Sequence, residues 1–287
     1  MATGSRVDVA LAPVLGARKD GTAGVDSVRD LAMTVLGEFV LPAGGTAWTR
    51  TLLAALDQLG VQEKAARQAL ARMEGRWLQR ERVGRETRWS LTPAATSLLE
   101  TGAERIYGFG QSRREWDRRW VVLLASVPEA DRQLRYRLAQ GLGWAGFGAA
   151  GNGMWLSPWR DQEAVAADLV AELGVQATSF IAEVGALGSE ADLVASAWDL
   201  ESLRGAYDEF LDDTASLGRS SDAAIGELTA LVHRWRRFPL LDPDLPTELL
   251  PADWPGTNAA ARFAELRAQL QPTATDRWST LDGGQSG

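Results

Sequence analysis

The chain of 287 residues contains no cysteine, a single histidine and no long run of uncharged apolar residues. Without cysteine there are no disulfides, no thiolate nucleophile and no cysteine-ligated zinc, a composition that suits a cytoplasmic protein. With one histidine, His233 in "LTALVHRWRRF", a three-histidine metal site is impossible, and no spacing of carboxylates substitutes for it. No metal and no cofactor is therefore expected, and His233 reads as a helix-surface residue. A membrane-spanning helix needs roughly 18 or more consecutive apolar residues, and no stretch comes near that. The first 26 residues carry only the short apolar patch "VALAPVLGA", interrupted by Pro13 and preceded by Asp8. Residues 1–26 thus read as a flexible N-terminal extension rather than a signal peptide.

Positive charge is scarce and unevenly placed. The net charge is −8, yet residues 61–92, "VQEKAARQALARMEGRWLQRERVGRETRWSLT", hold eight of the thirty Lys and Arg. Residues 27–120 carry 15 Lys and Arg against 11 Asp and Glu, whereas residues 121–287 carry 12 against 24. A basic segment joined to an acidic body reads as one part that faces nucleic acid and another kept off it. The length suits two or three domains, and the 45% apolar and 24% charged fractions are those of a globular protein.

Ser27 is placed to cap a helix whose apolar positions Val28, Leu31, Val35 and Leu36 recur at helical spacing, and "PAGG" at 42–45 ends it. "TAWTRTLLAALDQLG" (46–60) predicts a second helix. Residues 62–74 predict a third, with Ala65, Ala66, Ala69, Leu70 and Met73 as its inner face. "WLQRERV" and "ETRWSLT", about the turn "GR", predict a hairpin, followed by a helix over 93–107. Three helices and a hairpin are the order of a winged helix-turn-helix domain, here 27–108. Over 109–188 the pattern is a strand (118–127), a helix (129–142), a hairpin of "WAGFG" and "GMWLSP" about the turn "AAGN", a helix (161–173) and the strand "TSFIAEV". That βαββαβ order predicts a ferredoxin-like central domain. Residues 189–270 read as a helical C-terminal domain broken by the proline-rich "FPLLDPDLPTELLPADWPG", and 271–287 as a flexible tail. The fold class is α+β.

In a helix-turn-helix the second helix of the pair enters the major groove. Lys64, Arg67, Gln68 and Arg72 share the face of the third predicted helix opposite its alanines. The arginine fork matches O6 and N7 of guanine, and glutamine can pair with adenine. On the hairpin, Arg80, Arg82, Arg85 and Arg88 fit phosphate or minor-groove contact, alternation placing Arg80 and Arg82 on one face. These eight are the candidate DNA-binding residues. The plainer reading, a solvated basic face, is weakened by their position on the third helix and the hairpin.

Twelve tryptophans against three tyrosines is an unusual ratio, and Trp116, Trp120, Trp144, Trp155 and Trp159 all fall in the middle segment. They read as core filling, or as the walls of an aromatic pocket for a flat ligand. For such an effector site the candidates are Trp120, Trp144 and Trp155, with Arg113, Arg114, Arg118 and Arg119 beside them. Those arginines suit phosphates of a ligand or of DNA, and equally a solvated linker. Asp242 and Asp244, set between prolines, read as turn residues that tie up local N–H groups rather than as paired acids. The glycine runs "GLGWAGFG" and "GAAGNG" lack the strand-to-helix setting and the Gly-Lys-Ser/Thr ending of a phosphate loop. With no nucleophile and base in view, an enzyme is not expected. The enzyme alternative is a small CRISPR-associated nuclease, but that chemistry wants an Asp at the end of the first strand, where Ser126 stands.

The same segments carry a family likeness. "AWTRTLLAALDQLGVQEKAARQALARMEGRWLQRERVGRETRWSLT", "RIYGFG", "WDRRWVVLLASVPE", "RYRLAQGLGWAGFGAAGNGMWLSPWRD" and "RRFPLLDPDLPTELLPADWPGTNAAARFAEL" resemble the PaaX-like regulators, repressors of phenylacetic acid degradation, over roughly residues 27–270. The W-x-G-F-G…W-L-S-P and F-P-x-L-D-P-x-L-P-x-x-L-L-P-x-x-W-P-G runs are its specific part. The resemblance implies a cytoplasmic, homodimeric transcriptional repressor bound to a palindromic operator in double-stranded DNA. It further implies release by a small-molecule effector, phenylacetyl-CoA or another aryl-CoA. A different effector, or none, is the alternative. Gln68 stands where the family commonly has a small residue, which bears on the operator sequence rather than on binding.

Overall fold

The computed structural model describes residues 27–110, 114–128, 130–218 and 222–283; the expected N-terminal extension and Arg113 lie outside them. In chain order the elements are α1 (Val28–Val35), extended by a π-helical turn (Leu36–Val40), β1 (Thr46–Trp48), α2 (Thr49–Asp57), α3 (Glu63–Met73), β2 (Leu78–Val83), β3 (Glu86–Leu91) and α4 (Pro93–Gly108). Then come β4 (Trp120–Ser126), α5 (Arg132–Trp144), β5 (Gly148–Gly151), β6 (Met154–Ser157), α6 (Gln162–Leu173) and β7 (Gln176–Ala182). The helices α7 (Glu190–Ala197), α8 (Leu200–Thr214), α9 (Ala224–Trp235), α10 (Phe238–Leu241) and α11 (Gly256–Gly283) follow. The fold is α+β, with two antiparallel sheets.

These elements gather into two units, each described by itself. One holds residues 27–109, 209–238 and 258–283; the other holds 110–208 and 239–257. Segments of the C-terminal part thus contribute to the core that holds residues 27–109.

In the first unit, Ser27 caps α1 by accepting the Asp30 N–H at 3.1 Å, and Thr92 caps α4 ahead of Pro93. Residues 46–60, expected as one helix, divide into β1 and α2. Thr46–Trp48 instead pair with β3, where Ala47 sits opposite Trp89 and is wholly buried. Sheet pairing and burial outweigh the helical spacing of those three residues. The centre of this unit is aromatic. Trp235 stacks on Phe263 at 4.7 Å between centroids and meets Phe238, Phe210 and Phe109 at 5.1, 5.3 and 5.8 Å. Its indole N–H donates to the Ile106 carbonyl at 3.2 Å. Glu38, buried on the π-helical turn, accepts from the Tyr107 hydroxyl and from Arg267 at 3.3 Å. Burial holds the Glu38 carboxyl above its ordinary range, with Arg267 pulling the other way.

Two expectations are corrected in this unit. His233 is not on a helix surface: it is 6% exposed, and its Nδ1 lies 3.0 Å from Thr34 Oγ1 on α1. The α9 face that carries it packs against α1, so a polar pair replaces the solvent that its arginine neighbours suggested. The tail expected from residue 271 is instead helix as far as Gly283. Pro272 removes one helical N–H, but Ala274 and Trp278 are buried and Trp278 stacks on Phe39 at 5.0 Å. The end of α11 also accepts the Trp48 N–H at Asp282 (3.0 Å) and the Thr51 hydroxyl at the Leu281 carbonyl (3.3 Å).

In the second unit, β4 to β7 run in the order β-α-β-β-α-β and form a sheet of order β5-β6-β4-β7. The hairpin differs from expectation. Trp144 closes α5, the strand begins at Gly148, and the turn falls at Asn152–Gly153, because Gly146 with φ 76° ends the helix before the strand can start. One sheet face buries Val121 and Leu123 against Leu138, Leu142, Ala166 and Leu169 of α5 and α6. The other buries Trp120 and Leu156 with Val194 of α7 and Leu245 of the proline-rich segment. Trp198 approaches β5 so closely that a Cβ at Gly148 would overlap its ring. Asp242 behaves as a turn residue: its carboxylate accepts the Asp244 N–H at 2.7 Å and the Tyr207 hydroxyl at 2.5 Å, and burial raises its pKa to about 6. Among the described residues no helix is long and apolar enough to cross a membrane, and no three His, Asp or Glu side chains converge as a metal site.

Candidate nucleic-acid interface

Ala66, Ala69, Leu70 and Met73 bury one face of α3, and this leaves the opposite face entirely outside. Lys64, Arg67, Gln68 and Arg72 all lie on that exposed face, around the small, exposed Ala71. Glu63 in the first turn and Arg72 in the last match the helix dipole. Arg67 Nε donates to Glu63 at 2.7 Å across one helical turn, so its guanidinium is held but exposed.

The hairpin carries further arginines, and its register sorts them by face. Arg80 pairs opposite Trp89 and Arg82 opposite Thr87, so both share the face that begins with buried Leu78. Arg80 reaches back to Glu74, at the end of α3, at 3.3 Å. Arg82 Nε donates to the Gly84 carbonyl at 3.3 Å, and Arg85 occupies the exposed tip. Arg88 does not join them. It pairs opposite Glu81 and Trp48 on the other face, donates to Thr46 Oγ1 at 2.7 Å and lies 5.7 Å from the Trp48 ring centre. Arg50, which the sequence reading passed over, lies over the same ring at 5.2 Å and pairs with Glu86. Arg76, also passed over, is exposed just past α3 and stacks on Trp77 at 4.7 Å. The cation–tryptophan dipeptide "RW" at 76–77 was its one visible signal.

The candidate effector residues are not brought together. Val122 pairs with Leu156 and Leu123 with Trp155, so Trp120 lies on one sheet face and Trp155 on the other. A single pocket walled by both is excluded by the alternation of the strands. Trp120 is 1% exposed, enclosed by Trp116 at 5.4 Å and Trp198 at 6.2 Å, and acts as core. Trp144 is half-buried at the end of α5. Arg114 lies over Trp159 at 4.0 Å and pairs with Asp161; Arg118 comes within 3.9 Å of Glu190; Arg119 donates to Glu183 at 3.1 Å. These three arginines are thus turned to carboxylates of their own unit.

The molecule is an α+β protein, and one of its units carries both a basic helix and a basic hairpin, linked by the Arg80–Glu74 ion pair. Three family models match it in succession: PaaX-like protein over residues 27–95, PaaX protein central Cas2-like domain over 113–194, and PaaX-like protein C-terminal domain over 198–280. The Transcriptional repressor PaaX of Escherichia coli (strain K12) is 31% identical over 260 residues, spanning 85% of this chain and 80% of the relative. Among solved structures, the uncharacterized protein Rv0674 from Mycobacterium tuberculosis superposes with a TM-score of 0.62. It is 24% identical and the match covers 88% of this chain and 99% of that one, a likeness of fold. The chain belongs to the PaaX-like family, as its sequence resemblance implied.

Proposed function

We propose that this protein is a transcriptional repressor and not an enzyme. On this reading α1 to α4 with β1 to β3 form a winged helix-turn-helix, β4 to β7 with α5 and α6 a ferredoxin-like domain, and the remaining helices a C-terminal domain. The protein acts as a cytoplasmic homodimer on a palindromic operator of a phenylacetate-type catabolic operon. An aryl-CoA such as phenylacetyl-CoA releases it. The observation that carries the reading is the exposed face of α3, with Lys64, Arg67, Gln68 and Arg72 backed by alanines, in a chain of net charge −8. A helix presented in this way fits a major groove, and the arginines of β2 and the tip flank it as backbone contacts would. The test is selection of bound sequences from random duplex DNA, which should yield an inverted repeat.

Two expected results follow from this geometry. Replacing Arg82 and Arg85 together by Ala should weaken binding to operator and to random DNA by similar factors. The salt dependence should flatten by roughly 0.9 per lost phosphate contact. A large change in the ratio of the two affinities would instead place these side chains on base edges. Titrating phenylacetyl-CoA into the preformed complex should release the DNA at concentrations where free CoA has no effect. A ligand can do so only by favouring the DNA-incompetent state. If no acyl-CoA releases the complex, the effector part of the reading falls while DNA binding stands.

A further inference from the structure

We infer that an organic anion with a flat apolar end binds in the cavity where α5, the end of β4 and the β5–β6 hairpin meet. The cavity holds about 460 Å³, within the span of about 300–1,000 Å³ usual for small-molecule sites. Its walls are apolar: Trp155, Met154, Leu138 and Val127. Trp155 rests partly on the sheet core and is half-buried, which gives a rigid aromatic wall. The polar groups among the lining residues are few and specific: Arg135, Ser126 and Asn152.

Two features separate this cavity from ordinary surface relief. The first is the hairpin that forms its floor. Pairing slips between Ala149 and Gly151, and a Cβ at Gly153, in the ordinary two-residue Asn152–Gly153 turn, would overlap the Ala125 carbonyl. Bulges of this kind gather beside binding sites, where they aim side chains that regular pairing would turn away. The second is charge. The unit carries nine Lys and Arg against eighteen Asp and Glu, yet α5 holds Arg132, Arg135 and Arg137 and no acidic residue within it. Arg132 and Arg135 lie about one turn apart, so an anionic tail leaving the cavity past Arg135 meets a second cation.

The larger groove of the same unit, about 960 Å³, makes the contrast. Glu190, Asp199, Glu201 and Glu248 line it and no Lys or Arg does, so it repels an anion. A third cavity, about 210 Å³ beside β7, is lined by Glu163 and Ser179, has no Lys or Arg in its lining and is small. Of these three, the cavity at the hairpin is the one that suits an anion; it lies on the Trp155 side of the sheet. This inference rests on the effector part of the proposed function and is independent of how DNA is bound.

The test is equilibrium dialysis of the full chain against phenylacetyl-CoA, phenylacetate and CoA separately, with circular dichroism and melting to confirm folding. Arg135→Glu reverses the charge at the mouth, and Ala139→Phe fills it without changing charge. Each should weaken binding of phenylacetyl-CoA by about tenfold or more, the scale of one lost charged contact or one blocked group. Arg119→Glu, in the linker, should stay within about twofold of the unaltered chain. Retained binding of phenylacetate alone would assign the cavity to the aryl end; retained binding of CoA alone would assign it to the phosphates, and overturn the apolar part of the inference. Unaltered binding by a folded Arg135→Glu or Ala139→Phe chain overturns the site, as does failure of the unaltered chain to bind any probe. If the thioester still releases DNA from both variants as from the unaltered chain, the effector reading stands and this site does not.

Discussion

Replacing Arg67 by Ala is expected to lower operator affinity by about 1–3 kcal/mol and to relax preference at one base pair, and Arg72→Ala is expected to do the same at another. The two side chains flank the exposed Ala71 on α3, so that a groove floor can approach the helix between them. Arg67 is held by Glu63 at 2.7 Å, with both partners largely exposed. Ion pairs of that kind contribute little to stability, so exchanging the carboxylate for a guanine edge or a phosphate costs little. Fluorescence anisotropy on the selected operator and on single-base variants, at one fixed salt concentration, measures both effects. If both substitutions leave operator affinity unchanged, α3 does not lie in the groove. If they weaken all sequences alike, the helix contacts backbone and the specificity comes from elsewhere.

Trp235→Ala is expected to cost about 3–5 kcal/mol of stability, the range for removing a large buried aromatic side chain. Trp235 is 1% exposed, and the stack on Phe263 and the tilted ring contacts to Phe109, Phe210 and Phe238 all leave with it. The Ile106 carbonyl loses its indole donor as well. Against a typical total of about 5–15 kcal/mol, this leaves the unit only marginally folded. Because the same core holds α4 and α9, DNA binding should fail at a lower temperature than in the unaltered chain, although residue 235 is distant in sequence from α3. Urea melts give the stability change. A shift below about 1 kcal/mol would show that the cluster repacks around the gap.

The parts that were legible in the sequence are those whose causes are local. The alanine stripe of α3 and the alternation of β2 and β3 each repeat within a dozen residues, so their bounds came out within a residue or two. The exposed face of α3 followed from spacing alone. What escaped depends on partners far along the chain. His233 was misjudged because its partner, Thr34, is 199 residues away and its neighbours are arginines. The helix beyond Pro272 was missed because its polar composition hides the spacing of Ala274 and Trp278 toward Phe39. Arg88 was grouped with Arg80 and Arg82 because only the pairing register shows it on the opposite face. Trp120 and Trp155 likewise share a composition but not a side of the sheet.

The interleaving of the two units sets an order of events during synthesis. Residues 27–109 leave the ribosome carrying the faces of α1 and α4 that Trp235, Phe263 and Trp278 will cover, but Glu209, the next segment of that unit, comes about a hundred residues later. At about 5–20 residues per second the wait is roughly 5–20 s, long compared with hydrophobic collapse. Through that interval the nascent helices can pack on one another, but the faces that Trp235, Phe263 and Trp278 will cover stay exposed. The unit of residues 110–208 and 239–257, inserted in the meantime, is likewise unfinished until its proline-rich segment emerges. Its last segment ends at residue 257, before residues 258–283 of the other unit are made, so the inserted unit can close first and the unit that carries α3 is completed last.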